Sequence, residues 1–316
     1  MLLGHETAWR EWRKALGGER MHHAWLLAGR RGVGKGSFAF AAACELVGVD
    51  PADAQNHPDI LTLTYAPKDD REERKRADGK PYEVARSIRI AQVRGMQARL
   101  GTRPTLGDKR AIIIDPADDL ERNAANALLK SLEEPPIGTY FLLVAHSPAR
   151  LLPTIRSRCR VLRFPTVSDA EMDRLLADLS PGADTATRAA AIAAAGGSPG
   201  AALQFVDMEL GKVRQAMDAI LARGDPDFQL RGTLAGLIGA RPDRERIRAV
   251  LELARSAVAQ RLDGVMADPR PVIDTHSELV RLTGEQPTYN FDAGLLAMEI
   301  GTLLAKAATA SERADG

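Results

Sequence analysis

The fold is decided by residues 25–36, which read Trp-Leu-Leu-Ala-Gly-Arg-Arg-Gly-Val-Gly-Lys-Gly. The first four are apolar, as in a short strand, and the residues from 35 to 47 have a helical pattern. Between them, Gly29, Gly32 and Gly34 let successive backbone N–H groups point at phosphate oxygens, while Lys35 supplies a positive charge. Strand, glycine-rich turn and helix in this order are typical of a phosphate-binding loop, or P-loop.

One position of this loop departs from the usual pattern. The full pattern has Ser or Thr after the lysine, whose hydroxyl ligates Mg²⁺, and here that residue is Gly36. Ser37 comes one position later, so its side chain points about 100° away around the helix. The phosphate cradle is present while the metal ligand is missing. We therefore expect weak nucleotide binding or none, with ATP as the nucleotide that the loop would take.

Further short apolar runs alternate with helical patterns through the first half of the chain. The predicted strands are residues 25–28, 60–64, 111–114, 141–145 and 161–164. The helices predicted between them are residues 35–47, 90–100 and 122–134. Strands that are apolar on both faces and alternate with helices indicate an α/β domain, in which helices cover both faces of a parallel sheet.

The pattern changes near Pro165, after which no convincing strand follows. The predicted helices there are residues 169–179, 186–195, 201–208, 213–221, 244–262 and 293–308. A Gly-Gly-Ser-Pro-Gly stretch at 196–200 interrupts the helical region. We therefore predict three domains, at residues 1–165, 166–207 and 208–316.

Composition limits the function classes. The chain has 316 residues, with 43 Lys and Arg against 42 Asp and Glu, so its net charge of +1 gives no overall attraction to DNA or membranes. No apolar run approaches the ~18 residues of a membrane-spanning helix. The first residues also lack the basic segment of a secretory signal. We expect a cytoplasmic protein without a membrane partner.

A second predicted strand, residues 111–114, ends in an acid, Asp115. In P-loop NTPases such an Asp holds Mg²⁺ directly or through water, although it is equally suited to cap the following turn. Many ATPases have Glu at the next position to polarise the attacking water. Here that residue is Pro116, which has no titratable group.

The segment 68–80 carries six basic and five acidic residues. We interpret it as a solvated, mobile insertion between a strand and a helix. A phosphate-contacting arm is the alternative, although the mixed charges weaken it.

Two more motifs carry a resemblance to a known family. Residues 125–136 read Ala-Asn-Ala-Leu-Leu-Lys-Ser-Leu-Glu-Glu-Pro-Pro, and residues 152–159 read Leu-Pro-Thr-Ile-Arg-Ser-Arg-Cys. Together with the P-loop they occur in the order found in bacterial clamp-loader AAA+ subunits. The chain resembles this family over about residues 1–165. The helical remainder is similar to the family's lid and collar by pattern alone.

This resemblance implies a P-loop AAA+ sheet domain, then a small helical lid, then an all-α C-terminal collar for oligomerisation. It implies a hetero-pentameric ring with other clamp-loader subunits, which opens a sliding clamp and places it on primed DNA for DNA polymerase III. In the family, each ATP at a subunit junction meets an arginine finger from the neighbour's Ser-Arg-Cys motif. Arg158 matches that finger; otherwise it is a surface arginine before an edge strand.

Four departures from the family's motor subunits agree with one another. Each removes a group that would contact phosphate, metal or water, and the residues now present are Gly36, Pro116, His146 and Gly200. The chain thus resembles family members that keep the finger but do not hydrolyse ATP. Many members also carry a four-cysteine zinc module. With only Cys44 and Cys159 available, we expect no zinc or other metal site.

Two other functions stay open. An active clamp-loader-type ATPase would need Ser37 to take the metal position, and a P-loop small-molecule kinase would need an acceptor site. DNA contact is a further expectation with a weaker basis. Its candidate residues are Arg94, Arg99, Arg103 and Lys109, although the pattern favours solvated charges on an amphipathic helix and the loop after it.

Overall fold

A computed structural model of the chain describes residues 5–262, 268–286 and 292–312. The chain forms two compact units, Met1–Val167 and Ser168–Gly316. The further division of the second unit into lid and collar domains stays a prediction.

The first unit is built on one parallel sheet of five strands. The strands are β1 (Ala24–Gly29), β2 (Ile60–Leu63), β3 (Arg110–Ile114), β4 (Thr139–Ala145) and β5 (Arg160–Phe164). Their order across the sheet is β2-β3-β4-β1-β5, and every neighbouring pair is parallel. The helices of this unit are α1 (Glu6–Leu16), α2 (Lys35–Val47), α3 (Asp70–Ala77), α4 (Ile90–Leu100), α5 (Arg122–Glu133) and α6 (Pro153–Arg156).

Alternate residues of the central strands enter two separate cores. Leu26 of β1 and Ile112 of β3 pack with α4 and α5, whereas Leu27 and Ile113 pack with α1 and α2 on the opposite face. This alternation follows from the pleat, which directs successive side chains to opposite faces. The predicted parallel sheet with helices on both faces is confirmed.

The segment 68–80 differs from its predicted form, because it contains the helix α3. Asp69 caps this helix by accepting the backbone N–H groups of Arg71 and Glu72. The Glu72 carboxylate is buried, and it accepts hydrogen bonds from Lys75 Nζ at 2.7 Å and from the Glu83 backbone N–H at 2.7 Å. The segment is mostly exposed and lies between β2 and α4, as predicted for a solvated insertion. One buried carboxylate ties its helix to the chain that follows, and its mobility stays a prediction.

The second unit is helical throughout its described residues. Its helices are α7 (Asp169–Leu179), α8 (Thr185–Ala195), α9 (Pro199–Asp207), α10 (Gly211–Arg223), α11 (Gln229–Ile238), α12 (Arg244–Arg261), α13 (Arg270–Glu285) and α14 (Ala293–Glu312). Helices α7, α8, α9 and α12 begin at side-chain caps, where Ser168, Asp184, Ser198 and Asp243 accept backbone N–H groups of the first turn. The predicted change from alternating strands and helices to helices alone is therefore confirmed.

Candidate functional site

The glycine-rich turn joins the carboxyl end of β1 to the N-terminus of α2. Gly32 and Gly34 have φ angles of 77° and 92°, which residues with a Cβ rarely adopt. A Cβ on Gly29 would collide with the backbone carbonyl oxygen of Phe164 in β5. The path of the backbone therefore requires glycine at all three predicted positions.

Lys35, the first residue of α2, is folded back onto this turn. Its Nζ donates hydrogen bonds to the carbonyl oxygens of Gly29 and Arg30, at 2.7 and 2.5 Å. The residue is 2% exposed. Burial lowers the pKa of Lys35 to about 8, although the nearby Asp115 and Asp118 carboxylates act in the opposite direction. The Lys35 ammonium thus hydrogen-bonds to the P-loop itself. The motif predicts that the same ammonium contacts a phosphate held by this loop.

The end of β3 lies beside Gly36, at the position where P-loop NTPases hold a magnesium ion. Asp115 follows this strand, and a Cβ built on Gly36 would lie 2.6 Å from Asp115 Oδ2. Burial raises the pKa of the Asp115 carboxyl, while the positive charges of Arg31 and Lys35 oppose the rise. His146 follows β4, and its Nε2 lies 3.9 Å from Asp115 Oδ1. Three predicted departures, at positions 36, 116 and 146, therefore lie at one edge of the sheet.

Asp118 and Asp119, the next two acidic residues along the chain, hold together the loops at this edge of the sheet. Asp118 is buried and accepts the backbone N–H groups of His146 and Ser147, the latter at 2.7 Å. Asp119 accepts a 2.5 Å hydrogen bond from the Tyr65 hydroxyl and forms an ion pair with Arg150 at 3.0 Å. Tyr65 is a residue that sequence reasoning missed, and its place just after β2 was the available signal. These contacts connect the segments that follow β2, β3 and β4.

These groups fit a phosphate better than they fit a magnesium–nucleotide complex. The glycine turn, the α2 N-terminus and Lys35 suit an anion. Position 36 carries no hydroxyl, Pro116 has no group to orient water, and the Asp115 carboxylate reaches toward the place of a side chain at position 36. The residues therefore do not fit metal-assisted ATP hydrolysis at this loop.

Arg158 lies at the other edge of the sheet. In the parallel pair of β1 and β5, Trp25 is opposite Arg160 and Gly29 is opposite Phe164. Arg158 precedes β5 while the P-loop follows β1, so roughly 13 Å of strand separates the two edges. The structure brings the P-loop glycines, Lys35 and Asp115 together, and it places Arg158 away from them.

The guanidinium of Arg158 has two partners in its own chain. Its Nη2 lies 2.7 Å from Glu133 Oε1, and its Nη1 donates to the Thr154 carbonyl oxygen at 2.9 Å. The Arg158 side chain is 35% exposed, so the group is held while part of it faces solvent. Sequence reasoning did not predict the contact with Glu133, although both residues lie in quoted motifs.

The four residues predicted to contact DNA do not share one helix face. On α4, Arg94 and Arg99 are five residues apart and therefore about 140° apart around the axis. Arg103 and Lys109 lie in the loop between α4 and β3. Buried Arg110 holds that loop by donating to the carbonyl oxygens of residues 99, 102 and 103. DNA contact by these residues stays a prediction.

Both cysteines are free thiols, of which Cys44 is buried and Cys159 is partly buried. Burial raises the pKa of Cys159 to about 12, so its thiol stays protonated at neutral pH. Among the described residues, no group of three or more His, Cys, Asp or Glu side chains is placed to hold a metal ion. No described helix has the length and apolar character needed to cross a membrane.

The first unit of the chain matches a known protein family. The family model described as DNA polymerase III, delta subunit, matches residues 4–168. The DNA polymerase III subunit delta' of Pseudomonas aeruginosa is 35% identical over 207 residues, which are 60% of this chain and 58% of that protein. The corresponding subunit of Escherichia coli is 29% identical over 233 residues, which are 69% of this chain and 64% of that protein. The chain thus spans about three fifths of the length of these relatives.

A solved structure resembles the whole fold. It is a gamma subunit-related protein of DNA polymerase III from Thermotoga maritima, and it superposes with a TM-score of 0.52 at 16% identity. The superposition covers 96% of this chain and 99% of that chain. The parallel sheet, the P-loop and the helical second unit define a P-loop protein of the AAA+ class. This chain belongs to the delta subunit family of DNA polymerase III, which confirms the predicted clamp-loader resemblance.

Proposed function

We propose that this chain is a delta'-like subunit of a bacterial clamp loader, which lends Arg158 to ATP bound by a neighbouring subunit and hydrolyses none itself. Its partners are the other clamp-loader subunits in a hetero-pentameric ring, the sliding clamp and primed DNA. It acts in the cytoplasm, in DNA replication by the DNA polymerase III holoenzyme. The observation that carries the proposal is the separation of Lys35 and Arg158 at opposite edges of the sheet.

That separation supports an action of Arg158 on another molecule. A guanidinium stabilises the charge of a phosphoryl group in transfer only when it touches that group, and such a finger contributes roughly 10³–10⁵ in rate. Arg158 is too far along the strand to reach a phosphate on its own P-loop. A neighbour's nucleotide is the phosphate that this edge of the sheet would meet in a ring.

The state of the P-loop supports the absence of hydrolysis. Lys35 is bound to the carbonyl oxygens of its own turn, and position 36 lacks the hydroxyl for a magnesium ion. Pro116 follows Asp115 where a carboxylate would orient the attacking water. The chain therefore keeps the nucleotide-binding fold as a structural element of the ring. Its own P-loop binds ATP weakly or not at all.

The test compares the isolated chain with a ring reconstituted from it and clamp-loader subunits that hydrolyse ATP. We expect no ATP turnover by the isolated chain. Arg158→Ala should slow ATP hydrolysis by the ring while size-exclusion chromatography shows normal assembly. Arg156→Ala, at an exposed arginine two residues earlier, is the matched control and should leave hydrolysis unchanged. Equal hydrolysis by the wild-type and Arg158→Ala rings would contradict the finger assignment.

The same experiment separates the two alternatives. An active ATPase would hydrolyse ATP as the isolated chain, and that activity would be lost in Lys35→Ala. Ser37, which this alternative needs at the metal position, is exposed on α2. A small-molecule kinase would consume ATP only when an acceptor is present, and its activity would be independent of the ring.

A further inference from the structure

The contact between Glu133 and Arg158 joins the two motifs that resemble the clamp-loader family. Glu133 is the last residue of α5, and Arg158 lies between α6 and β5. The carboxylate oxygen Oε1 and the guanidinium nitrogen Nη2 are 2.7 Å apart. The Thr154 carbonyl oxygen accepts from Nη1 at 2.9 Å. One partner therefore holds each terminal nitrogen of the guanidinium.

The position of Glu133 in its helix is electrostatically unfavourable without Arg158. The C-terminus of a helix carries partial negative charge, so a carboxylate there is disfavoured. The guanidinium of Arg158 offsets this repulsion. Leu132 is buried in the core beside it, and Pro135 follows the helix end. These two neighbours fix the position from which the Glu133 carboxylate reaches Arg158.

The pair contributes little to the stability of the fold. The Glu133 side chain is 49% exposed and that of Arg158 is 35% exposed, and water screens the attraction between charges in such surroundings. The structural effect of the contact is orientation. An arginine has five N–H donors in one plane, so anchoring one donor on each terminal nitrogen fixes that plane and leaves others for a phosphate.

We infer that Glu133 is a positioning residue, which fixes the Arg158 guanidinium in the orientation needed to contact a phosphate of the neighbouring subunit. The inference rests on the proposed function, because Arg158 must be the finger for its orientation to affect hydrolysis. Misplacing a catalytic group by about 1 Å costs on the order of 10²-fold in rate. Loss of the Glu133 contact should therefore lower the turnover number of the ring and leave nucleotide affinity unchanged.

The experiment measures kcat and KM for ATP in rings that carry Glu133→Ala, Glu133→Gln, Glu134→Ala or Arg158→Ala. Glu134 is the exposed neighbouring carboxylate, so its variant is the matched control and should behave as wild type. Glu133→Ala should lower kcat by about 10- to 100-fold with KM changed less than about twofold. Glu133→Gln keeps the length and one hydrogen bond, so its kcat should be intermediate. Unchanged or raised kcat in Glu133→Ala, with a slow Arg158→Ala ring, would overturn the inference.

A second readout does not depend on ring hydrolysis. Phenylglyoxal modifies exposed arginines, and mass spectrometry of peptides reports its rate at Arg158 in the isolated chain. We expect faster modification of Arg158 in Glu133→Ala than in Glu134→Ala, because the guanidinium is released. Equal rates would overturn the proposed contact. If Arg158→Ala leaves the ring unaffected while these rates differ, the contact stands and the proposed function fails.

Discussion

A Cβ at position 36 would lie 2.6 Å from Oδ2 of Asp115, so Gly36 and Asp115 face each other at the edge of the sheet. In a P-loop with Ser or Thr at this position, that hydroxyl binds the magnesium ion, and a strand-end Asp holds it from the other side. The carboxylate is the far end of a flexible side chain and is able to turn aside. The hydroxyl is thus the specific group that the metal position lacks.

Gly36→Ser should therefore create magnesium-dependent nucleotide binding without creating hydrolysis. The new hydroxyl and Asp115 would form the two protein ligands, while Pro116 still offers no group to orient water. We expect the affinity for magnesium–ATP to rise by about tenfold, or about 1.4 kcal/mol, over Gly36→Ala. Titration with a fluorescent ATP analogue, with magnesium and with EDTA, measures this difference.

The alanine variant is the control because it adds the same Cβ without the oxygen. Its Cβ also displaces the Asp115 carboxylate, so any effect of that displacement appears in both variants. If the two variants bind the nucleotide equally, or if EDTA has no effect on the serine variant, the missing hydroxyl is not what weakens the site.

Lys35 should make the stability of the first unit depend on pH. Burial lowers its pKa to about 8, against roughly 10.4 in the unfolded chain. Between these values the unfolded chain binds more protons than the folded one, so the free energy of unfolding rises with pH, by up to about 1.4 kcal/mol per unit. Below pH 8 this residue adds no slope. Lys35→Met should lack the rise.

The measurement is urea unfolding at several pH values between 7 and 10, followed by tryptophan fluorescence. All three tryptophans, at positions 9, 12 and 25, lie in the first unit, so the signal reports that unit alone. Subtracting the curve of Lys35→Met removes the titration of other groups. Parallel curves for the two proteins would show that Lys35 keeps its ordinary pKa.

The sheet could be predicted from the sequence because its strands are apolar on both faces, as residues 111–114 illustrate. The P-loop could be predicted because its backbone path depends on closely spaced glycines, at positions 29, 32 and 34. The network around it could not, since it joins residues distant in sequence. Tyr65 and Asp119, for example, are 54 positions apart. The rotamer of Lys35 could not be predicted either, because the P-loop motif specifies the residue type and not the direction of its side chain.

The helix α3 could not be predicted for a different reason. Its eight residues are all charged except Ala77, so no apolar periodicity marks it as a helix. Its stability depends on Asp69 as a cap and on burial of Glu72, and neither role distinguishes these acids from their neighbours in the sequence. The run of mixed charges therefore predicts a solvated segment and gives no sign of the helix.

Glu72→Ala should release the segment 68–83 from the first unit. The Glu72 carboxylate accepts hydrogen bonds from Lys75 and from the Glu83 backbone N–H. Without the carboxylate, the segment loses its hydrogen bond to the backbone of residue 83. We expect faster tryptic cleavage within residues 71–80, which contain several Lys and Arg. The control is Glu73→Ala, whose exposed carboxylate lies 3.6 Å from Arg76. Equal rates of cleavage in the two variants would show that Glu72 does not hold the segment 68–83 in place.

Asp225→Ala should destabilise the second unit more than removal of an exposed acid. The Asp225 carboxylate is buried, and it accepts hydrogen bonds from Arg231 Nε and from the backbone N–H groups of Leu230 and Arg231, each at 2.9 Å. Arg231 is also buried and donates to Thr302 Oγ1 on α14 at 3.0 Å. Removing Asp225 leaves a buried cation without its counter-ion, which costs about 3–5 kcal/mol.

The matched control is Asp268→Ala, because Asp268 pairs with exposed Arg270 at 2.9 Å and such surface pairs contribute about 0–1 kcal/mol. Amide hydrogen exchange in α10–α14, read by mass spectrometry, measures both effects in the intact chain. The double variant Asp225→Ala, Arg231→Met removes both charges, so it should recover part of the lost protection. If Asp225→Ala exchanges no faster than Asp268→Ala, the buried pair does not hold α11 against α14. If the double variant is worse than the single one, the cost comes from lost packing instead of an uncompensated charge.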